Sequence, residues 1–214
     1  MMTNNDFNKT TFDKGAVFYR EGKFKDAISV WEKIANHDVK SARALTSCYS
    51  RPDYNPDLQS FVKWLKVLAY QQKDGWGMMI LGMLYCGTDH TMWYNTFSAE
   101  EISIHRNEDE GLKLMEEGVR LMEGGLCDRK IDYRDYSQIG QTYKNRFDRR
   151  KSSMIDLLRD LMYTKKSLEI TPDDEYESKK LTEKTIYHQT EHINAIRQVK
   201  FNSGTTLANL DVDD

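Results

Sequence analysis

The chain has 214 residues, 30% of them charged, with 3 prolines, 12 glycines and a formal net charge of −3. That length suits one continuous body with an appended segment, and scarce proline beside abundant charge favours helices joined by short turns over an all-β fold. A slightly acidic total carries no nucleic-acid or membrane signature, so any basic surface must come from local placement.

The opening segment, "MMTNNDFNKTTFDKG", has no basic start and no apolar run. A secretory signal is therefore not expected, and the cytoplasm is the expected compartment. Next comes "GAVFYREGKFKDAISVWEKI", from Gly15 to Ile34. A small residue is followed three positions on by the aromatic Phe18, then by a turn at Glu21-Gly22. Beyond the turn, Ala27, Val30, Trp31 and Ile34 share one helical face.

The same grammar recurs down the chain. Leu45-Thr46 with Tyr49 precedes the stripe Phe61, Trp64, Leu65 and Leu68. Leu81-Gly82 with Tyr85 precedes Gly111, Leu114, Met115 and Gly118. Ile139-Gly140 with Tyr143 precedes Met154, Leu157, Leu158 and Leu161. The small residue lets a first helix approach a second closely, and the aromatic fills the gap one turn later. A lone hairpin cannot bury its own stripe, so such units are expected in arrays. Glycine inside a helix costs up to ~1 kcal/mol relative to alanine, so Gly111 and Gly118 predict a weak third hairpin.

Between the units, "SRPDYNPD" reads as a turn that ends in an N-cap before Leu58. The third hairpin carries an insertion over 88–106 that holds Met92, Trp93, Tyr94 and Phe97. A segment of this kind is either a functional lid or a plug folded over the hairpin ends. The apolar run Trp76 to Gly87 is far short of the ~20 residues that cross a bilayer, so no membrane span is expected. Cys48, Cys86 and Cys127 are too dispersed for a disulfide framework or a paired zinc site and read as small buried residues.

After the fourth hairpin, Thr171 is placed as an N-cap, with Pro172 at the first helical position and Asp173, Asp174 and Glu175 in the first turn. The helix is expected over 171–200, with a sparse apolar stripe that suits a solvating cap. The remainder, 201–214, reads as a disordered acidic tail. His188 and His192 flank Glu191 on that helix, but a third ligand is missing, so a solvated face is the expectation and no metal or cofactor is assigned. No nucleophile signature or Gly-rich phosphate loop is present.

"GAVFYREGKFKDAISVWEKI" resembles a tetratricopeptide hairpin, and "FVKWLKVLAYQQKDGWGMMILGMLYCG" is similar to the Sel1-like variant, with its W-L, L-G-x-x-Y and closing G. The resemblance runs from about Phe7 to Lys165. It implies an all-α superhelical stack of four hairpins over 1–167, closed by the capping helix. It also implies that first helices line a concave groove, at fixed offsets from each small residue. Those offsets fall on Lys9, Phe12, Ala16, Tyr19 and Arg20, then on Lys40, Arg43, Ser47, Ser50 and Arg51. In the third unit they fall on Trp76, Met79, Met83, Cys86 and Gly87, and in the fourth on Arg134, Ser137, Gln141, Lys144 and Asn145.

None of these positions is acidic, although the chain as a whole is. The expected partner contacts are Lys9, Tyr19, Arg20, Lys40, Arg43, Arg51, Trp76, Met79, Arg134 and Lys144. Cations at both ends of an apolar Trp/Met stretch suit a protein or acidic peptide. The expected function is accordingly a non-enzymatic scaffold or adaptor. The alternatives are a nucleic-acid-interacting or defence-associated accessory protein using the same groove on phosphates, and a metal-dependent hydrolase using His188 and His192.

Overall fold

The computed structural model describes residues 4–54, 56–88, 93, 95–150, 154–172 and 174–202, and the elements among them are helices joined by turns. Their contacts divide the chain into two compact units, Met1–Lys130 and Ile131–Asp214. Met92 and Tyr94 of the insertion, Asp173, and the acidic tail from residue 203 onward lie outside the described residues.

In the first unit α1 (Asn4–Arg20) pairs with α2 (Phe24–Trp31). The turn between them closes as expected from Gly22, which sits at φ 73°. The N–H of Lys23 reaches the Phe18 carbonyl at 2.9 Å and that of Gly22 reaches Tyr19 at 3.1 Å. These are the two bonds that let a left-handed glycine end a helix. Gly15 does the packing: a Cβ there would stand 2.3 Å from Nε1 of Trp31.

α3 (Val39–Tyr49) pairs with α4 (Leu58–Lys66), and each starts on an aspartate, Asp38 taking the Ser41 N–H and Asp57 the Gln59 N–H. A π-helical turn, Val67–Gln71, continues α4. Val67, Leu68 and Ala69 on this turn are all in the core.

α5 (Gly75–Tyr85) and α7 (Glu108–Glu123) form the third pair, with the short α6 (Ala99–Ser103) between them. Gly111 and Gly118 are not weak points here. They admit the α5 backbone at distances no side chain would allow. Within the insertion, Trp93 is fully buried with its ring 5.8 Å from that of Phe61, and Phe97 lies 5.9 Å from the same ring. Ser98 and Glu101 make a reciprocal capping box that starts α6. Thr88, Trp93 and Ile102 of the insertion are buried, while most of its other described residues are exposed.

In the second unit α8 (Tyr133–Arg150) pairs with α9 (Met154–Ile170), and α10 (Tyr176–Asn202) packs on α9. Tyr143 stacks on Tyr163 at 5.8 Å, and Leu157 with Ile193 forms the α9–α10 core. Two expectations change. α10 begins at Tyr176, because the buried Thr171 hydroxyl turns back to the Ser167 carbonyl at 2.7 Å and closes α9 instead of opening α10. It also extends to Asn202, two residues into the expected tail.

Candidate partner-binding surface

The first-helix positions of the first unit fall into three environments. Lys9, Arg20, Lys40 and Arg51 are exposed. Lys9 and Lys40, on different hairpins, come together with Phe12 and Val39 in the wall of one cleft of about 490 Å³. Asp13, Asp38 and Asp128 share that wall. Asp38 already accepts the Ser41 N–H at 2.8 Å, and Asp128 lies 2.8 Å from Arg43.

Tyr19 and Arg51 belong to a second cluster built on Tyr54, from the proline-bracketed turn. The Tyr19 hydroxyl donates to the Tyr54 hydroxyl at 2.6 Å, and the Tyr54 ring lies 4.3 Å from Phe24. Arg51 sits over the same ring at 5.7 Å. Burial, then the hydrogen bond with Tyr54, pushes the Tyr19 phenol well above its ordinary range. Tyr54 has no place in the repeat pattern, and only its position in a Pro-rich turn marked it out.

Arg43 is held within the protein. Its guanidinium binds Asp74 through Nε and Nη2, reaches Asp128, and lies 5.8 Å from the Trp76 ring. Burial works against the charge, but the hydrogen bond and charge of Asp74, joined by Asp128, more than offset it and raise the group above its ordinary value. Trp76 is half-buried beneath it. Met79, expected to line a groove, is fully buried, as are Met83 and Cys86. The α5 helix is apolar on nearly every side, so the positions that the offsets select face core here.

Arg134 and Lys144 are exposed in the second unit, Arg134 lying 3.7 Å from Glu175 and 5.2 Å from the Tyr133 ring. Lys144 borders a pocket between α8, α9 and α10. His188 and His192 are exposed on α10, and no cluster of three metal-ligating side chains occurs among the described residues. Among those residues no helix is long and apolar enough to cross a membrane.

The repeat pattern gives no hint of a further cleft, of about 570 Å³, on the α4 side of the first unit. Its wall holds Lys63, Lys66 and His105 and no acidic side chain. Burial and the neighbouring Lys66 hold the His105 imidazole below its ordinary pKa. Comparisons with protein-family models, with curated proteins and with solved structures found no match to this chain.

Proposed function

We propose that the chain is a non-enzymatic scaffold of tetratricopeptide/Sel1-like hairpins whose first-helix face takes an extended segment of a protein partner. The observation that carries this reading is the cleft that joins Lys9 and Phe12 of the first hairpin to Lys40 of the second. Phe12 and Val39 offer apolar area, while the two lysines offer capture points for carboxylates. The aspartates in the same wall favour a segment of mixed charge over a polyanion. Arg43 adds nothing there, because its charge is matched by Asp74 and Asp128.

The test is a photo-crosslinking residue at Lys40, with the same residue at Lys113 on α7 as the control. A protein captured at the first and not the second, whose purified form binds wild type but loses at least tenfold to Lys9→Glu/Lys40→Glu, supports the reading. Equal binding by the double variant overturns it.

A second reading, phosphate-backbone binding, draws support from the acid-free cleft of Lys63, Lys66 and His105 rather than from the first-helix face. Such binding falls steeply and log-linearly with salt and is lost in Lys63→Glu/Lys66→Glu.

A further inference from the structure

The cleft of about 570 Å³ on the α4 side of the first unit differs from the first-helix cleft in what its wall leaves uncommitted. Gln59, Lys63 and Lys66 stand at i, i+4 and i+7 on α4, which puts them on one helical face. Gln71 follows on the π-helical turn, Asn36 comes from the segment after α2, and His105 from the segment after α6. Two valines complete the wall, and no carboxylate side chain enters it.

Neither lysine forms an ion pair among the described residues. Lys63 is steadied in another way, because its ammonium lies over the ring of the buried Trp64 at 4.6 Å. An ammonium resting on a ring face still has N–H donors directed away from it. Lys66 acts on His105: burial first, and then the Lys66 charge, hold the imidazole below its ordinary pKa. The two groups therefore share a positive field that no acidic side chain of the wall offsets. The side chains of Asn36, Gln59 and Gln71 make no hydrogen bond among the described residues, so each keeps two N–H donors for a ligand.

We propose that this cleft binds a phosphate monoester, its phosphoryl oxygens taken by Lys63 and Lys66 and by the N–H donors of the amides and of His105. A monoester carries about −1.5 to −2 charges at pH 7 and three strong acceptor oxygens, which matches two lysines among neutral donors. Side chains three apart on a helix start about 5–6 Å from each other, so both ammonium groups can reach one phosphoryl group. A nucleic-acid backbone instead presents its charges one by one along a track and is held by cations spread along that track. On α4 the basic residues are Lys63 and Lys66 alone, which favours a single doubly charged group. The inference rests on phosphate recognition at this cleft, the second reading above, and narrows it from diester to monoester.

The experiment titrates the full chain at about pH 7.5, where a monoester is mostly dianionic, with N-acetyl-O-phosphoserine amide, glycerol 3-phosphate, N-acetylserine amide and a single-stranded oligonucleotide without terminal phosphates. Binding is read by calorimetry and by the imidazole NMR signal of His105, assigned with His105→Gln. At least one monoester should bind with Kd below about 1 mM and move the His105 signal, while N-acetylserine amide does neither. Lys63→Gln/Lys66→Gln changes two exposed side chains and should weaken that binding about tenfold or more. The tighter of the two monoesters identifies the source, a phosphorylated protein segment or a free phosphorylated metabolite. The proposal is overturned if neither monoester binds at about 10 mM, if bound monoester leaves the His105 signal in place, or if the double variant binds as wild type does. An oligonucleotide that binds through the two lysines while both monoesters fail overturns it and leaves the backbone reading standing. Monoester binding without oligonucleotide binding supports it and ends that reading.

Discussion

Gly82 and Gly111 face each other across α5 and α7 so closely that a Cβ on Gly82 would lie 2.5 Å from the Gly111 carbonyl oxygen, and one on Gly111 2.7 Å from that of Gly82. Gly75 and Gly118 repeat the relationship at the other end of the pair, at 2.7 and 2.4 Å. Helix propensity alone makes Gly111→Ala stabilising by up to ~1 kcal/mol. The packing reverses that sign, because the obstacle is backbone and cannot rotate away, and overpacking of this kind costs about 1–3 kcal/mol. Gly111→Ala should therefore lower the urea midpoint. All 4 tryptophans lie before residue 131, so their fluorescence reports this unit. An unchanged or raised midpoint would show that α5 and α7 are not in this contact.

Trp31 and Trp64 lie at adjacent positions of the stripes of successive hairpins and are both buried, so either truncation to Ala should cost about 3–5 kcal/mol. Phenylalanine separates them. Nε1 of Trp31 donates to the Phe12 carbonyl at 3.1 Å, whereas Nε1 of Trp64 has no partner among the described residues. Trp31→Phe should thus lose about 1 kcal/mol more than Trp64→Phe, the net worth of one hydrogen bond. Equal losses in paired denaturation curves would contradict that geometry.

The insertion gives a prediction that the repeat pattern did not. With Trp93 packed on Phe61, Trp93→Ala should destabilise the first unit by about 3–5 kcal/mol, as a core aromatic does. A variant with wild-type stability would contradict the packing of Trp93 on Phe61.

The hairpins were legible because their signals are local: a small residue, an aromatic one turn on, and a stripe at helical spacing. The stripes of the first three hairpins are buried throughout. The candidate surface was less legible, because exposure depends on what the far chain brings. Arg43 reads as a free cation until Asp74 and Asp128, 31 and 85 positions away, fold against it. Met79 reads as groove because a fixed offset ignores that α5 is surrounded. The start of α10 was misplaced because Thr171 has two acceptable hydrogen-bonding choices, and burial at the end of α9 decides between them.

The cysteines differ in accessibility. Burial pushes the Cys48 thiol up to about 12, far above the pH at which a thiolate forms in water, and Cys86 is fully buried. Cys127 is partly exposed. At pH 8 the native protein should react with one equivalent of a thiol reagent at Cys127, and with all 3 cysteines only after unfolding. Rapid native labelling of Cys48, read by peptide mass, would place α3 differently.

Arg43 offers the sharpest test of how this surface is built. Asp74 is buried, caps α5 by accepting the Gly77 N–H at 2.9 Å, and depends on Arg43 for its counter-charge. Removing the cation strands a carboxylate in the protein, so Arg43→Met should cost about 3 kcal/mol. Asp128→Asn should cost only ~0–1 kcal/mol, because that carboxylate is half exposed and solvent screens it. Asp74→Asn keeps the cap and drops the charge, and combining it with Arg43→Met should recover at least ~1 kcal/mol relative to the sum of the single losses. Additive losses would mean that the two residues do not share an interaction. Arg43→Glu is for the same reason a poor probe of partner binding, since it acts through stability, while Lys40→Glu changes an exposed charge alone. An Arg43→Met protein that melts with wild type yet loses a partner would reverse this assignment and put Arg43 on the binding face.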